Sequence, residues 1–275
     1  DRGAAWNADP VRLGDTALLL GFLALVGFEA TSGARRWLYL LGPAGALATV
    51  LLTGARGALV AWPVMLVVAI LLTVPRRRLP AVIAVAAAGV VGLVLINSLF
   101  DFSSRMSSIS HIADDIVGRG PIADPATRIR FDLYRAGLAA FREAPVFGHG
   151  WAHVMELARE HLPEALKWEA GLPHLHNEML QFAVAGGVFG VLIVIGLLAL
   201  PIAAALRSGH DRMRRARVLG ASLLTAGYVV MGLPDVMVGF EMHTALFVAL
   251  TAALIGFCRD APTGPAPLET ARADA

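Results

Sequence analysis

Residues Leu172 to Gly190 read LPHLHNEMLQFAVAGGVFG. Two histidines, an asparagine and a glutamate stand directly before a long apolar run. The groups best able to move a proton therefore sit at the lip of a hydrophobic helix. A neutral imidazole is the side chain suited to accept a proton near neutral pH. A helix that begins at about Glu178 turns its positive end toward His174–Glu178. That end lowers a nearby histidine pKa, favours the neutral base and attracts phosphate. His176 is the candidate base, against the plainer reading of a histidine that only caps a helix; His174 is read as its neighbour. A His-x-His pair also suggests a metal. In a helix, i and i+2 diverge, so the pair shares one ion only if extended. No third ligand is close in sequence, and no His-Glu-x-x-His or cysteine set occurs. No metal and no cofactor are expected.

Anion chemistry falls to arginines. Arg56, in LLTGARGALVAW, is either an interfacial arginine reaching headgroups or part of a buried anion site. Its small neighbours Gly54, Ala55, Gly57 and Ala58 favour the second. Arg128 and Arg130, in DPATRIRFDLYR, open an amphipathic helix with Thr127 as a candidate cap. They are a solvated charged end, or they offset the unfavourable helix dipole by sharing an anion. Arg105, in SSRMSSIS, is a weaker candidate. Asp235, Glu241 and His243 either border the same pocket or are ordinary loop polars. Of the 23 basic residues only Lys167 is a lysine, and compositional bias accounts for most of the arginines.

The elements that position these residues belong to a membrane. The chain is 57% hydrophobic and 16% charged, against about 25% charged in soluble domains. A net charge of +2 names no partner, and no nucleic-acid partner is expected. The single cysteine, Cys258, excludes an intrachain disulfide. About seven stretches approach the roughly 20 residues that span a bilayer: 13–31, 37–54, 56–74, 80–99, 178–206, 216–234 and 239–257. If they alternate, Arg35–Arg36, Arg76–Arg78 and the arginines from 207 to 217 share one side, the cytoplasmic one by the positive-inside rule.

The chain then divides into an outer segment with four spans (1–100), an outer loop domain (101–177), three spans (178–257) and a disordered cytoplasmic tail (258–275). In the loop, RFDLYRAGLAAFREA carries Phe131, Tyr134, Leu138 and Phe141 on one helix face, and PVFGHGW stops that helix. An outer N-terminal segment that nothing in the chain would export implies further helices before it.

The order of pieces is specific. WNADP leads a span and TGARGALVAW opens the third. RIRFDLYRAGLAAFREAPVFGHGW lies in the large loop, and HLHNEMLQFAVAGGVFG follows. This order resembles the C-terminal part of the O-antigen ligase and polymerase superfamily of bacterial membrane glycosyltransferases, over most of the chain from about Trp6. Two departures stand out: Ala55-Arg56-Gly57 where many relatives have Ser-Arg-Gly, and Tyr134 where a tryptophan often stands.

The resemblance implies an all-α membrane protein of about a dozen helices with a periplasmic loop, in the bacterial inner membrane. It implies transfer of a glycan from an undecaprenyl-pyrophosphate carrier to an acceptor hydroxyl. That acceptor is lipid A core for a ligase, a lipid-linked glycan for a polymerase, or a protein. Arg56 and Arg130 first, and Arg128 next, would hold the pyrophosphate. His176 would be the base, and Asn177 would hold a sugar hydroxyl or cap the helix. The step would be metal-independent and inverting. A transporter of lipid-linked glycan is the rival of another class, and it predicts broken helices with ionisable groups near the midplane.

Overall fold

The computed structural model describes residues 10–78, 80, 125–167 and 172–259. Residues 81–99 of the expected fourth span, Arg105 and everything beyond Arg259 lie outside them. Helix α1 (Pro10–Leu23) runs into α2 (Leu25–Ala30), and a 3-10 segment (Ala34–Leu40) leads to α3 (Leu41–Thr53). A left-handed Gly54 turns the chain into α4 (Arg56–Thr73). Helices α5 (Pro125–Glu143), α6 (Val154–Glu160) and α7 (Glu164–Lys167) follow. Helices α8 (Glu178–Arg207), α9 (Arg214–Met231) and α10 (Glu241–Arg259) complete the bundle. No strand occurs among the described residues.

Four stretches are long and apolar enough to cross a membrane: Val11–Ala30, Ala34–Thr53, Glu178–Arg207 and Glu241–Arg259. Gly57–Thr73 is apolar but shorter. Seven spans were expected; among the described residues four meet the requirement. The 216–234 stretch forms as α9, but Arg214, Arg215 and Arg217 lie in its first turn. That helix is central rather than lipid-facing. Leu219, Leu223, Leu224 and Tyr228 are buried in one cluster with Leu18, Leu19 and Phe22 of α1 and Met65 of α4. Helix α8 shows the reverse, with Val188, Phe189, Leu192, Ile193, Ile195 and Leu200 all exposed. So continuous an apolar surface suits lipid, not water.

At the end of the bundle away from the histidines, Arg217 is only 1% exposed. It donates to Ser208 Oγ at 2.9 Å, to Asp211 Oδ1 at 2.7 Å and to the Gly209 carbonyl at 2.7 Å. One arginine of the basic cluster thus ties the α8–α9 turn instead of facing headgroups.

Helix α8 is broken at Gly187, where φ is 61° and ψ −148°. A break inside a membrane helix frees backbone groups that lipid cannot satisfy. Here the segment after α5 supplies the partners. His149 N donates to the Val184 carbonyl at 2.9 Å and Gly150 N to the Ala185 carbonyl at 2.8 Å. Val188 N in turn donates to the Pro145 carbonyl at 2.8 Å. A Cβ at Gly187 would collide with the Val146 backbone, and one at Gly148 with the Ala185–Gly186 peptide. PVFGHGW therefore does more than stop α5: it docks into α8. By the ~1.5 Å rise per residue, that dock lies roughly 9–15 Å along α8 from Glu178.

Helix α5 packs by a different face from the one expected. Leu133, Ala136 and Ala140 are buried with Leu175 and Val184, whereas Phe131 and Leu138 are exposed. Small residues win because they allow close approach; Gly137 stands against Leu175 and Leu180.

Candidate functional site

The start of α8 is built from a capped turn. Asn177 is extended, and its Oδ1 accepts from Leu180 N at 2.9 Å. Its Nδ2 donates to the Leu233 carbonyl at 3.0 Å. Asn177 is thus the helix cap and also a tie to the α9–α10 loop. Glu178 adds two more ties: its N donates to the Gly232 carbonyl at 2.8 Å, and its Oε1 accepts from Val238 N at 2.6 Å.

His176 precedes the cap with φ 51°, the one non-glycine in the left-handed region among the described residues. Such a backbone costs of order 1–3 kcal/mol and persists only where its surroundings over-determine it. Here His176 N donates to His174 Nδ1 at 3.1 Å, and the Tyr134 hydroxyl donates to the His176 carbonyl at 2.9 Å. The two imidazoles lie edge to face with centroids 4.1 Å apart.

Asp235, from the α9–α10 loop, faces both rings. Its Oδ1 is 3.3 Å from His174 Nε2 and 3.7 Å from His176 Nδ1. His174, read from sequence as a neighbour, lies between the His176 backbone N–H and the Asp235 carboxylate. Because His174 Nδ1 accepts a hydrogen bond from His176 N, the matching neutral tautomer carries its proton on Nε2, the nitrogen nearer Asp235. His176 Nδ1 makes no hydrogen bond among the described residues.

His174, His176 and Asp235 have their polar atoms within 4.8 Å of one another, so space supplies the third group that the local sequence lacks. A cation bound through His174 Nε2 would need that nitrogen free of its proton, which would set an Nδ1–H against the His176 N–H.

Burial is the main cause that holds His176 at about 4, with His174 and Arg130 pushing the same way and Asp235 opposing. His174 is also lowered, first by burial, with Asp235 opposing and Arg12 and Arg130 adding to the lowering. Both imidazoles are therefore held neutral, with desolvation rather than a positive helix end as the leading cause. Burial likewise raises Tyr134; Arg130 opposes and Asp235 adds to the rise.

A cavity of about 210 Å³ opens beside this cluster. Arg130 and Asp235 line it together with Asp15, Gly54, Gly57 and Pro234. The starts of α1 and α4, the α5 helix and the α9–α10 loop thus meet at one end of the bundle. Arg56 opens α4 between Gly54 and Gly57, which both line the cavity; its side chain lies outside what the structure describes. Arg128, in the first turn of α5, is exposed and does not line it. Arg105 is outside the described residues. Two contributors were not singled out from sequence. Arg12, whose charge reaches His174, sits in an unremarkable first turn. Asp15, 3% exposed, carried the one available signal, a carboxylate inside an apolar helix.

A family model described as O-antigen ligase matches residues 43–195, which takes in Arg56, Arg130, both histidines and the broken part of α8. A protein of Haemophilus influenzae described as uncharacterized is 27% identical over 164 residues. That match covers 57% of this chain and 40% of the relative, so the chain spans about two fifths of that relative's length.

Proposed function

The chain belongs to the O-antigen ligase family, and on that premise we propose that it is the working end of a multi-pass membrane glycosyltransferase. Its donor is a glycan on undecaprenyl pyrophosphate, its acceptor a hydroxyl on lipid A core, and its site faces the periplasm. The observation that carries this reading is that Asp235 both lines the Arg130 cavity and faces His174 and His176. A leaving-group site and a base site therefore share a wall.

The acceptor oxygen attacks the anomeric carbon, and His176 takes its proton. The bond from that carbon to the pyrophosphate oxygen breaks, and undecaprenyl pyrophosphate departs with the electron pair. Arg130 and Arg56 neutralise the charge that develops there. Displacement from the opposite face inverts the anomer. A histidine held at about 4 is a weak base in the empty site. The bound pyrophosphate brings negative charge that raises it, and Asp235 stabilises the imidazolium. Arginines replace a cation at the phosphates, and the His174 proton on Nε2 supports metal-free chemistry.

The broken α8 favours the transporter rival. Its freed groups are taken by the 145–150 backbone and not by ionisable side chains, which supports transfer over transport. The test is a reconstituted transfer assay on the full-length protein with lipid-linked glycan and either lipid A core or a second lipid-linked glycan. Product on the core supports the ligase, and product on the second lipid-linked glycan supports the polymerase. Movement of donor across the bilayer without transfer would sink both, and loss of transfer with chelator would overturn the metal-free step.

A further inference from the structure

Glu178 is a buried carboxyl that the transfer step does not use. It is 1% exposed, and its Oε2 makes no hydrogen bond among the described residues. An apolar side chain would pack there at lower cost, since a buried polar atom without a partner is unfavourable. Such atoms call for an explanation beyond packing.

The α9–α10 loop supplies that explanation. Between Gly232 and Val238 it has no regular secondary structure of its own beyond turns. Glu178 holds both ends: its N–H meets the Gly232 carbonyl at 2.8 Å, and its Oε1 accepts from Val238 N at 2.6 Å. Position 232 accommodates this grip because it is glycine; a Cβ there would collide with Glu178 Oε2. Asp235 rides in the middle of the held segment, and its own Oδ1 accepts from Val236 N at 2.8 Å. Asn177 and Tyr134 reach only Leu233, at 3.0 and 3.4 Å. The second half of the loop thus depends on Glu178 alone among these ties.

We propose that Glu178 is a positioning residue for the transfer step: its backbone N–H holds the loop at Gly232, its carboxyl holds it at Val238, and the carboxyl grip fixes Asp235 against His174 and His176. It touches neither the cavity nor the reacting atoms. The inference rests on the reading of His176 as the base, but the placement of Asp235 can be measured without turnover.

The test compares Glu178→Gln, Glu178→Met and Asp235→Ala, singly and as the Glu178→Met/Asp235→Ala pair, in the full-length protein. Gln keeps an acceptor for Val238 N–H, and Met keeps the bulk without it. Transfer by Glu178→Met should fall about 10–100-fold in kcat with donor KM within about 3-fold, and Glu178→Gln should restore it to within about 5-fold of wild type. The pair should be no worse than Asp235→Ala within about 2-fold, because coupled residues are not additive.

Ring-labelled histidine NMR supplies the readout that does not need transfer. The His174 and His176 signals should move in Glu178→Met as they do in Asp235→Ala, and should stay at wild type in Glu178→Gln. Additive losses in the pair, or wild-type histidine signals in Glu178→Met, would overturn the proposal. Coupled histidine signals in a protein that transfers nothing would leave Glu178 in place and remove the glycosyltransferase reading.

Discussion

The Tyr134 hydroxyl donates to the main-chain carbonyl of His176 at 2.9 Å and lies 3.4 Å from that of Leu233. One side chain of α5 therefore touches both the turn that presents the imidazole and the segment that presents Asp235. Because His176 is held in a left-handed backbone, this contact offsets strain at the site itself.

Tyr134→Phe removes the donor and keeps the ring. Stability should drop by about 1 kcal/mol, the usual net worth of one hydrogen bond, read from thermal unfolding in detergent. Transfer should drop by about 5–20-fold, more than that stability loss alone explains, because the His176 turn relaxes toward ordinary φ. Equal activity in Tyr134→Phe would show that His174 and the cap hold the turn unaided.

Histidine ionisation gives a pH prediction with a definite sign. The folded His176 is lowered to about 4 from its ordinary 6.5, so the unfolded chain binds the proton more readily. The linked stability is fully present above pH 6.5 and is lost as pH falls toward 4. In kinetics, kcat/KM reports the free enzyme and kcat the substrate complex. The acid limb of kcat should therefore lie at higher pH than that of kcat/KM, since the bound pyrophosphate raises the imidazole. Asp235→Asn should move the kcat/KM limb lower. His176→Ala should lose about 10²–10⁴-fold in kcat.

The two arginines of the RIR triplet should separate. Arg130 lines the cavity and Arg128 does not. Arg130→Ala should cost about 10²–10³-fold in kcat, the scale of a lost transition-state donor. Arg130→Lys should recover little of it, because a point charge does not replace the planar fork. Arg128→Ala should stay within about 5-fold. Equal losses at both positions would mean that the anion sits at the helix end rather than in the cavity.

Much of this was legible in the sequence. Apolar run lengths located α1 to α4, α8 and α10, because spanning a bilayer is a local demand on composition. His176 and Arg130 stood out because few side chains can act as a neutral base or a bidentate anion donor. Asp235 was read only as one of three loop polars that either border the pocket or are ordinary, since its link to the histidines closes only when α9 returns beside α8. The buried face of α5 was misjudged because the 3.6-residue period favours large residues, while the close contact with Leu175 and Leu180 selects Ala136, Gly137 and Ala140. The docking role of PVFGHGW was also hidden: glycines near a proline read as a helix stop whether or not another helix receives them.

Gly187→Ala tests that dock. The added methyl meets the Val146 backbone at a φ that alanine resists, so the docked segment must leave or α8 must straighten. Either outcome should lower the melting temperature in detergent clearly more than Gly196→Ala, a change in the same helix where a Cβ meets nothing within 4 Å.

The docked segment also sets a length standard. His149, Gly150 and Pro145 grip α8 on both sides of its break, so the chain between them is measured against a fixed rung spacing. Adding or deleting one residue there would put every later rung out of step. The backbone of residues 145–150 and helix α8 thus keep one register on both sides of the break.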